Sequence, residues 1–121
     1  MTSEVIFLPA AGAELIAAQD WYERASPGLG ARFRAEVDAQ VELIGANALQ
    51  FPIPFRDIRR ARLRRFPYGL FFRVLPDAIY VIACFHASRD PTTWRRRGQT
   101  PGGYRQPGSS NRRRGGATPP P

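Results

Sequence analysis

Five of the seven residues from Arg59 to Arg65 are arginine, and the run passes through Phe66-Pro67-Tyr68-Gly69 into the aromatic stretch Leu70-Phe71-Phe72. In an extended strand alternate side chains share a face, so Arg60, Arg62 and Arg64 would project together at steps of about 6.6 Å. Ala61 and Leu63 would point the other way, toward a core. A guanidinium is a planar fork of donors that grips phosphate or carboxylate through two hydrogen bonds. A row of them is costly beside like charge, and makes sense only against an anionic partner or in water. His86 is the only imidazole, Arg89 follows three residues later, and Arg73 lies on the neighbouring run. Metal-independent cleavage of a phosphodiester needs a base, an acid and cations for the charged phosphorane. Cations are abundant here, whereas no lysine pair or carboxylate base stands out on the arginine run.

The rest of the chain must position these groups. At 121 residues it is one domain by length. Basic residues number 18 and acidic ones 10, a net charge of +8, and every basic residue is arginine. A GC-rich genome also produces such a bias, yet the charge favours acidic partners such as nucleic acid, a membrane surface or an acidic protein. One cysteine, Cys84, excludes an internal disulfide framework, and its apolar surroundings (Val81, Ile82, Ala83, Phe85) suit a buried thiol better than a nucleophile. No apolar run approaches the ~18 residues of a membrane span, and no signal-peptide core is present. A soluble cytoplasmic protein is the default expectation.

Residues 98–121 contain no aliphatic side chain larger than alanine and are dense in Gly, Pro and Ser. Such a segment cannot offset its ordering entropy, which predicts a disordered tail in which Arg112, Arg113 and Arg114 add loose attraction to a polyanion. Residues 1–97 form the predicted domain, carrying 14 arginines and all ten acidic residues. Glu4 to Leu8 has strand composition. Pro9 opens a helix whose apolar positions Leu15, Ala18, Tyr22 and Ala25, with Ala11 before them, recur at helical spacing. Ser26-Pro27-Gly28-Leu29-Gly30 breaks it. A second helix, from about Leu29 to Ala46, aligns Phe33, Val37, Val41 and Ile44. So short a turn makes the pair an antiparallel hairpin. Gln50 to Phe55 is too proline-rich for regular structure.

Strands are then predicted from about Ile58 to Arg65, Tyr68 to Leu75 and Ala78 to His86, the last apolar on both faces as in a central strand. Asp90 to Trp94 reads as a short terminal turn or helix. The order β-α-α-β-β-β is an α+β fold, with a helical hairpin on one face of a small, mainly antiparallel sheet and the arginine row exposed on the other. Several local features have ordinary packing roles available to them. A lone histidine ending a strand is commonly a hydrogen-bonded packing residue, and Arg89-Asp90-Pro91 reads as a local ion pair at a turn start. Trp94 closes the sheet end, Trp21-Tyr22 packs the hairpin, and Phe66-Pro67-Tyr68 breaks a strand between core aromatics.

Across residues 4 to about 97 the chain resembles the RelE/ParE superfamily of type II toxin–antitoxin toxins, in its ParE-like branch. The resemblance rests on Trp21-Tyr22, Ser26-Pro27-Gly28-Leu29-Gly30, Arg32-Phe33, Phe51-Pro52, Ile58-Arg59-Arg60-Ala61 and Arg64-Arg65-Phe66-Pro67-Tyr68. It is completed by His86-Ala87-Ser88-Arg89-Asp90-Pro91-Thr92-Thr93-Trp94. It implies the same β-α-α-β-β-β layout and a toxin neutralised by a cognate antitoxin, with which it often represses its own operator DNA. ParE-like members poison DNA gyrase without a known catalytic constellation, and RelE-like members cleave mRNA on the ribosome. The closing motif favours the ParE branch. For target binding the expected residues are Arg60, Arg62, Arg64, Arg65 and Arg89. Were the chain a ribonuclease, the site would be Arg64, Arg73, His86 and Arg89, aided by Tyr68 and Tyr80. No cofactor and no metal is expected, and an inactive toxin kept for antitoxin binding is a third reading.

Overall fold

The computed structural model describes residues 2–99. Its elements are β1 (Val5–Phe7), α1 (Pro9–Ala25), α2 (Leu29–Asn47), a 3-10 turn (Ala48–Gln50), β2 (Arg59–Arg62), β3 (Tyr68–Val74), β4 (Ile79–His86) and α3 (Thr92–Gln99). The sheet order is β1-β4-β3-β2, with β1 parallel to β4 and the other neighbours antiparallel. This is the α+β hairpin-on-sheet architecture that the periodicity predicts. Only the short first strand runs parallel, because a helical hairpin separates it from its partner.

The hairpin closes where the glycines fall. Gly28 sits at φ 89°, a left-handed conformation that costs glycine nothing. At Gly30 a Cβ would stand 2.7 Å from the carbonyl oxygen of Gln19, so only glycine lets the helices approach there. Glu23 then accepts the backbone N–H groups of Gly28 (2.9 Å) and Gly30 (3.0 Å), satisfying donors that the start of α2 leaves open. The stripe residues Ala11, Leu15, Ala18, Tyr22, Phe33, Val37 and Ile44 are buried against Leu70, Phe72, Ile79 and Val81 of the sheet. Around Phe33 the rings of Tyr22, Phe66 and Tyr68 meet with centroids 5.3, 5.2 and 5.3 Å away. Contacts of this kind add about 0.5–1.5 kcal/mol per pair beyond area burial.

A bulge divides the sheet's second face. Phe71 pairs with Ala83 but Phe72 with Val81, so Ile82 is an extra residue in β4. The side-chain alternation therefore shifts. Ile79, Val81 and Cys84 join the core under the hairpin, whereas Ile82, Ala83 and Phe85 form a second cluster with Ile58, Phe71 and Trp94. α3 covers that cluster, its Trp94 ring stacked on Phe71 at 4.2 Å. The face opposite the hairpin is thus not the open arginine row that strand alternation predicts. One half is an apolar floor roofed by α3, and Trp94 is part of that roof.

α3 is tied down from the far side of the sheet edge. β1 is three residues long and β4 eight, so β4 continues past the end of its neighbour. There Glu14 of α1 takes the part-buried Cys84 N–H, which β1 does not reach (3.0 Å), and two hydrogen bonds from Arg97 of α3 (3.1 and 2.8 Å). Arg97 also donates to the Ile82 carbonyl at 2.8 Å. One carboxylate and one guanidinium thus complete the bare strand edge and clamp α3 in place.

The predicted boundary before Gly98 falls inside α3, which runs on through Gly98 and Gln99. The remainder of the predicted tail, with Tyr104 and Arg112 to Arg114, lies outside the described residues. A Cβ at Gly98 would collide with Ile58, which is fully buried. Gly98→Ala should therefore cost about 1–3 kcal/mol by overpacking, lowering Tm by at least ~4 °C in a thermal melt. An unchanged melt would mean that α3 does not hold this contact in solution.

Candidate functional site

Beside the roofed half lies an open one, a cleft of about 300 Å³ between β2, the β3–β4 end of the sheet and α3. Arg60 and Arg62 face it because they pair with Phe71 and Gly69, on the side of the sheet away from the hairpin. Arg89 enters from the loop after β4 and Arg95 from α3, so four guanidinium groups line it and no carboxylate does. Two of these arginines rest on rings rather than on acids. Arg89 lies over Phe85 at 5.5 Å, and Arg95 over Phe55 at 5.1 Å and Trp94 at 5.5 Å. Such cation–π contacts hold the group flat without a hydrogen-bonded acid, although the Asp90 carboxylate lies close enough to attract Arg95. Arg60 is half-buried, its Nε enclosed without a hydrogen-bond partner. Burial first, and the charge of Arg62 second, pull its pKa below the ordinary guanidinium value.

The expected site residues separate into those that meet here and those that do not. Arg60, Arg62, Arg89, His86 and Tyr68 line the cleft. Arg64 and Arg65 do not, because β2 ends at Arg62 and the predicted strand does not continue to Arg65. Glu36 of α2 stops it by accepting their backbone N–H groups (2.9 Å for Arg64, 3.1 Å for Arg65) on the hairpin side. Their side chains are solvent-exposed and out of strand register. Arg73 pairs with Asp57 at 3.0 Å near the opposite end of β3, while the Tyr80 hydroxyl donates to Asp77 at 2.6 Å beside the β3–β4 turn. The set Arg64, Arg73, His86 and Arg89 is therefore not one constellation. Arg59 turns to the hairpin side and donates to the carbonyls of Leu49 (3.2 Å) and Phe51 (2.7 Å). Arg95 was not foreseen; its only signal is its place beside Trp94 in a terminal helix.

The groups that could move protons are buried or already hydrogen-bonded. His86 is buried with its ring 5.2 Å from that of Tyr68. Its Nδ1 accepts the Ser88 backbone N–H at 3.0 Å, which puts the proton of the neutral ring on Nε2. Burial pushes the Tyr68 phenol well above its ordinary value, so it stays protonated at neutral pH. Asp90 forms no ion pair with Arg89. It accepts the Thr92 N–H (2.9 Å) and hydroxyl (2.8 Å) at the start of α3, and these bonds hold its carboxyl below the usual range. Cys84 is buried, and desolvation raises its thiol far above the reactive range. Among the described residues no group of three or more His, Cys, Asp or Glu could hold a metal ion. No helix among them is long and apolar enough to cross a membrane. Among the described residues the cleft is thus lined by four arginines and by no carboxylate.

A family model for the ParE toxin of the type II toxin–antitoxin system parDE matches residues 5–91. No curated protein matches the chain. Among solved structures, one described as the chromosomal ParDE TA system from P. aeruginosa aligns with a TM-score of 0.64 at 22% identity, covering 72% of this chain and 98% of that one. That likeness concerns the fold. The family match takes in the hairpin, the whole sheet and the loop that carries Arg89, and stops where α3 begins. With the match spanning most of its length and the architecture agreeing, the chain belongs to the ParE toxin family of type II toxin–antitoxin systems.

Proposed function

We propose that the protein is the toxin of a toxin–antitoxin pair that arrests growth in the cytoplasm by gripping a target, DNA gyrase, through the arginine-lined cleft. A cognate antitoxin neutralises it, and the two together bind operator DNA through the antitoxin. The observation that carries the binding role is the cleft itself, with four guanidinium groups and no carboxylate. An unneutralised cationic concavity steers and anchors an acidic partner. Support for binding rather than cleavage comes from the dispersal of the ribonuclease candidates. Arg73 is neutralised by Asp57, Arg64 lies on a different surface, and the His86 Nδ1 is already occupied.

Induction of the gene without its neighbour tests this. The expected result is filamentation with a DNA-damage response, relieved by co-expression of the adjacent open reading frame. An abrupt stop in translation with codon-positioned mRNA cuts would assign the ribosome-dependent endoribonuclease instead. Unimpaired growth would leave a protein kept for binding its antitoxin.

A further inference from the structure

The floor of the cleft includes a buried strand position without a side chain, Gly69. Gly69 lies between Arg62 on β2 and Phe85 on β4, on the same face as both. Its φ is not in the left-handed region, so glycine is not needed there for the backbone. A Cβ at this position would meet the Arg60 Cγ at 3.4 Å and a Phe71 ring carbon at 3.5 Å, which is ordinary packing distance. A Cβ alone is therefore accommodated, and a larger side chain would have to extend between Arg60 and Phe71 on the cleft floor. A volume of about 300 Å³ is at the small end of the range for small-molecule sites, which runs from roughly 300 to 1,000 Å³.

We propose that this cleft is a binding site for a polyphosphate chain of nucleotide size. Arg60 and Arg62 on one wall and Arg89 and Arg95 on the other present donors from two sides, with no carboxylate in the lining and only Asp90, outside it, attracting Arg95. Guanidinium forks suit the oxygens of linked phosphates, each of which offers acceptors in several directions. A single carboxylate would engage one fork and leave the others facing like charge in a confined space. The stacking of Arg89 and Arg95 on aromatic rings holds them before a ligand arrives, which lowers the ordering cost of binding. A nucleoside triphosphate and an inorganic polyphosphate share this chemistry. The inference concerns the same cleft as the proposed target contact but does not depend on gyrase being that target.

The test is calorimetric titration of the purified full-length chain with inorganic tripolyphosphate and, separately, with ATP at 0.15 M salt. One saturable site is expected for at least one of them. Equal affinity would identify the phosphate chain as the whole ligand, and tighter binding of ATP would identify a nucleotide. Gly69→Val places a β-branched side chain on the cleft floor against Arg60 and Phe71, keeps every arginine and suits a strand. It should weaken binding at least tenfold while the circular dichroism melt stays within a few degrees of the parent. Arg60→Gln with Arg62→Gln should weaken it by a similar factor or more, although Arg112 to Arg114 are untouched. No binding of either probe would overturn the proposal. So would binding that Gly69→Val leaves unchanged, because it would then be diffuse attraction to the net charge. Induced growth arrest reads the target and is scored separately, so the two ideas fail independently.

Discussion

Replacing Arg62 and Arg89 together with alanine should abolish growth arrest upon induction while leaving the fold intact. The two side chains reach the cleft from opposite walls, Arg62 from β2 and Arg89 from the loop after β4. Arg62 is exposed and Arg89 partly so, and neither makes an ion pair among the described residues, so little folding energy is at stake. Truncating a charged anchor at the centre of an interface costs about 2 kcal/mol or more. Two such losses approach 4 kcal/mol, close to a thousandfold in affinity. Colony counts under induction, at protein levels matched by immunoblot, provide the measurement. Arg64→Ala is the informative control. Strand alternation makes Arg64 the equal of Arg60 and Arg62, yet its backbone is pinned by Glu36 outside the cleft, so toxicity should survive its loss. Arrest by the double variant at the parental level would remove the cleft from the target contact, and relief by Arg64→Ala alone would move the contact to the bend beyond β2.

Glu14→Ala should produce the largest loss of stability of any single polar substitution on the hairpin. The carboxylate serves two partners at once, the Cys84 N–H and the Arg97 guanidinium. Leaving a part-buried backbone donor without an acceptor costs about 1–3 kcal/mol. The ion pair is about a quarter exposed on each side, so water screens it and its share is at most about 1 kcal/mol. A total near 2–3 kcal/mol corresponds to a fall in Tm of roughly 10–20 °C for a domain of this size. Because Arg97 anchors α3, its release should also expose Arg95, Arg96 and Arg97 to trypsin in the folded state. Glu14→Gln retains an acceptor for Cys84 but not the charge, and should recover about half of the loss. A melt of Glu14→Ala within ~2 °C of the parent would show that the strand edge finds another partner and that α3 is held by its remaining contacts, Trp94 among them. The clamp matters to the cleft because α3 supplies Arg95, its fourth arginine.

Much of this molecule is written in local patterns. Leu15, Ala18 and Tyr22, and then Phe33, Val37 and Ile44, could only align on helices, and the breakers from Ser26 to Gly30 could only reverse the chain. The apolar, β-branched run from Ile79 to Phe85 demanded a central strand with cover on both faces, and it has one. Spacing of three or four residues against two is enforced by backbone geometry within a single element, so it is visible without neighbours.

The composition of the cleft was not visible in that way. Which arginine stands free depends on partners distant along the chain. Asp57 reaches Arg73, Glu36 ends β2 before Arg64, and the carbonyls of Leu49 and Phe51 draw Arg59 to the other side. The bulge at Ile82 reverses which β4 side chains face the hairpin, and Glu14 meets Arg97 across the edge that β1 leaves bare. Five arginines within seven residues carry the same charge and the same propensities, so sequence alone treats them as equivalent. Only the tertiary packing, which ends the strand on Glu36 before Arg64, draws Arg59 to carbonyls and leaves Arg60 and Arg62 in the cleft, makes them different.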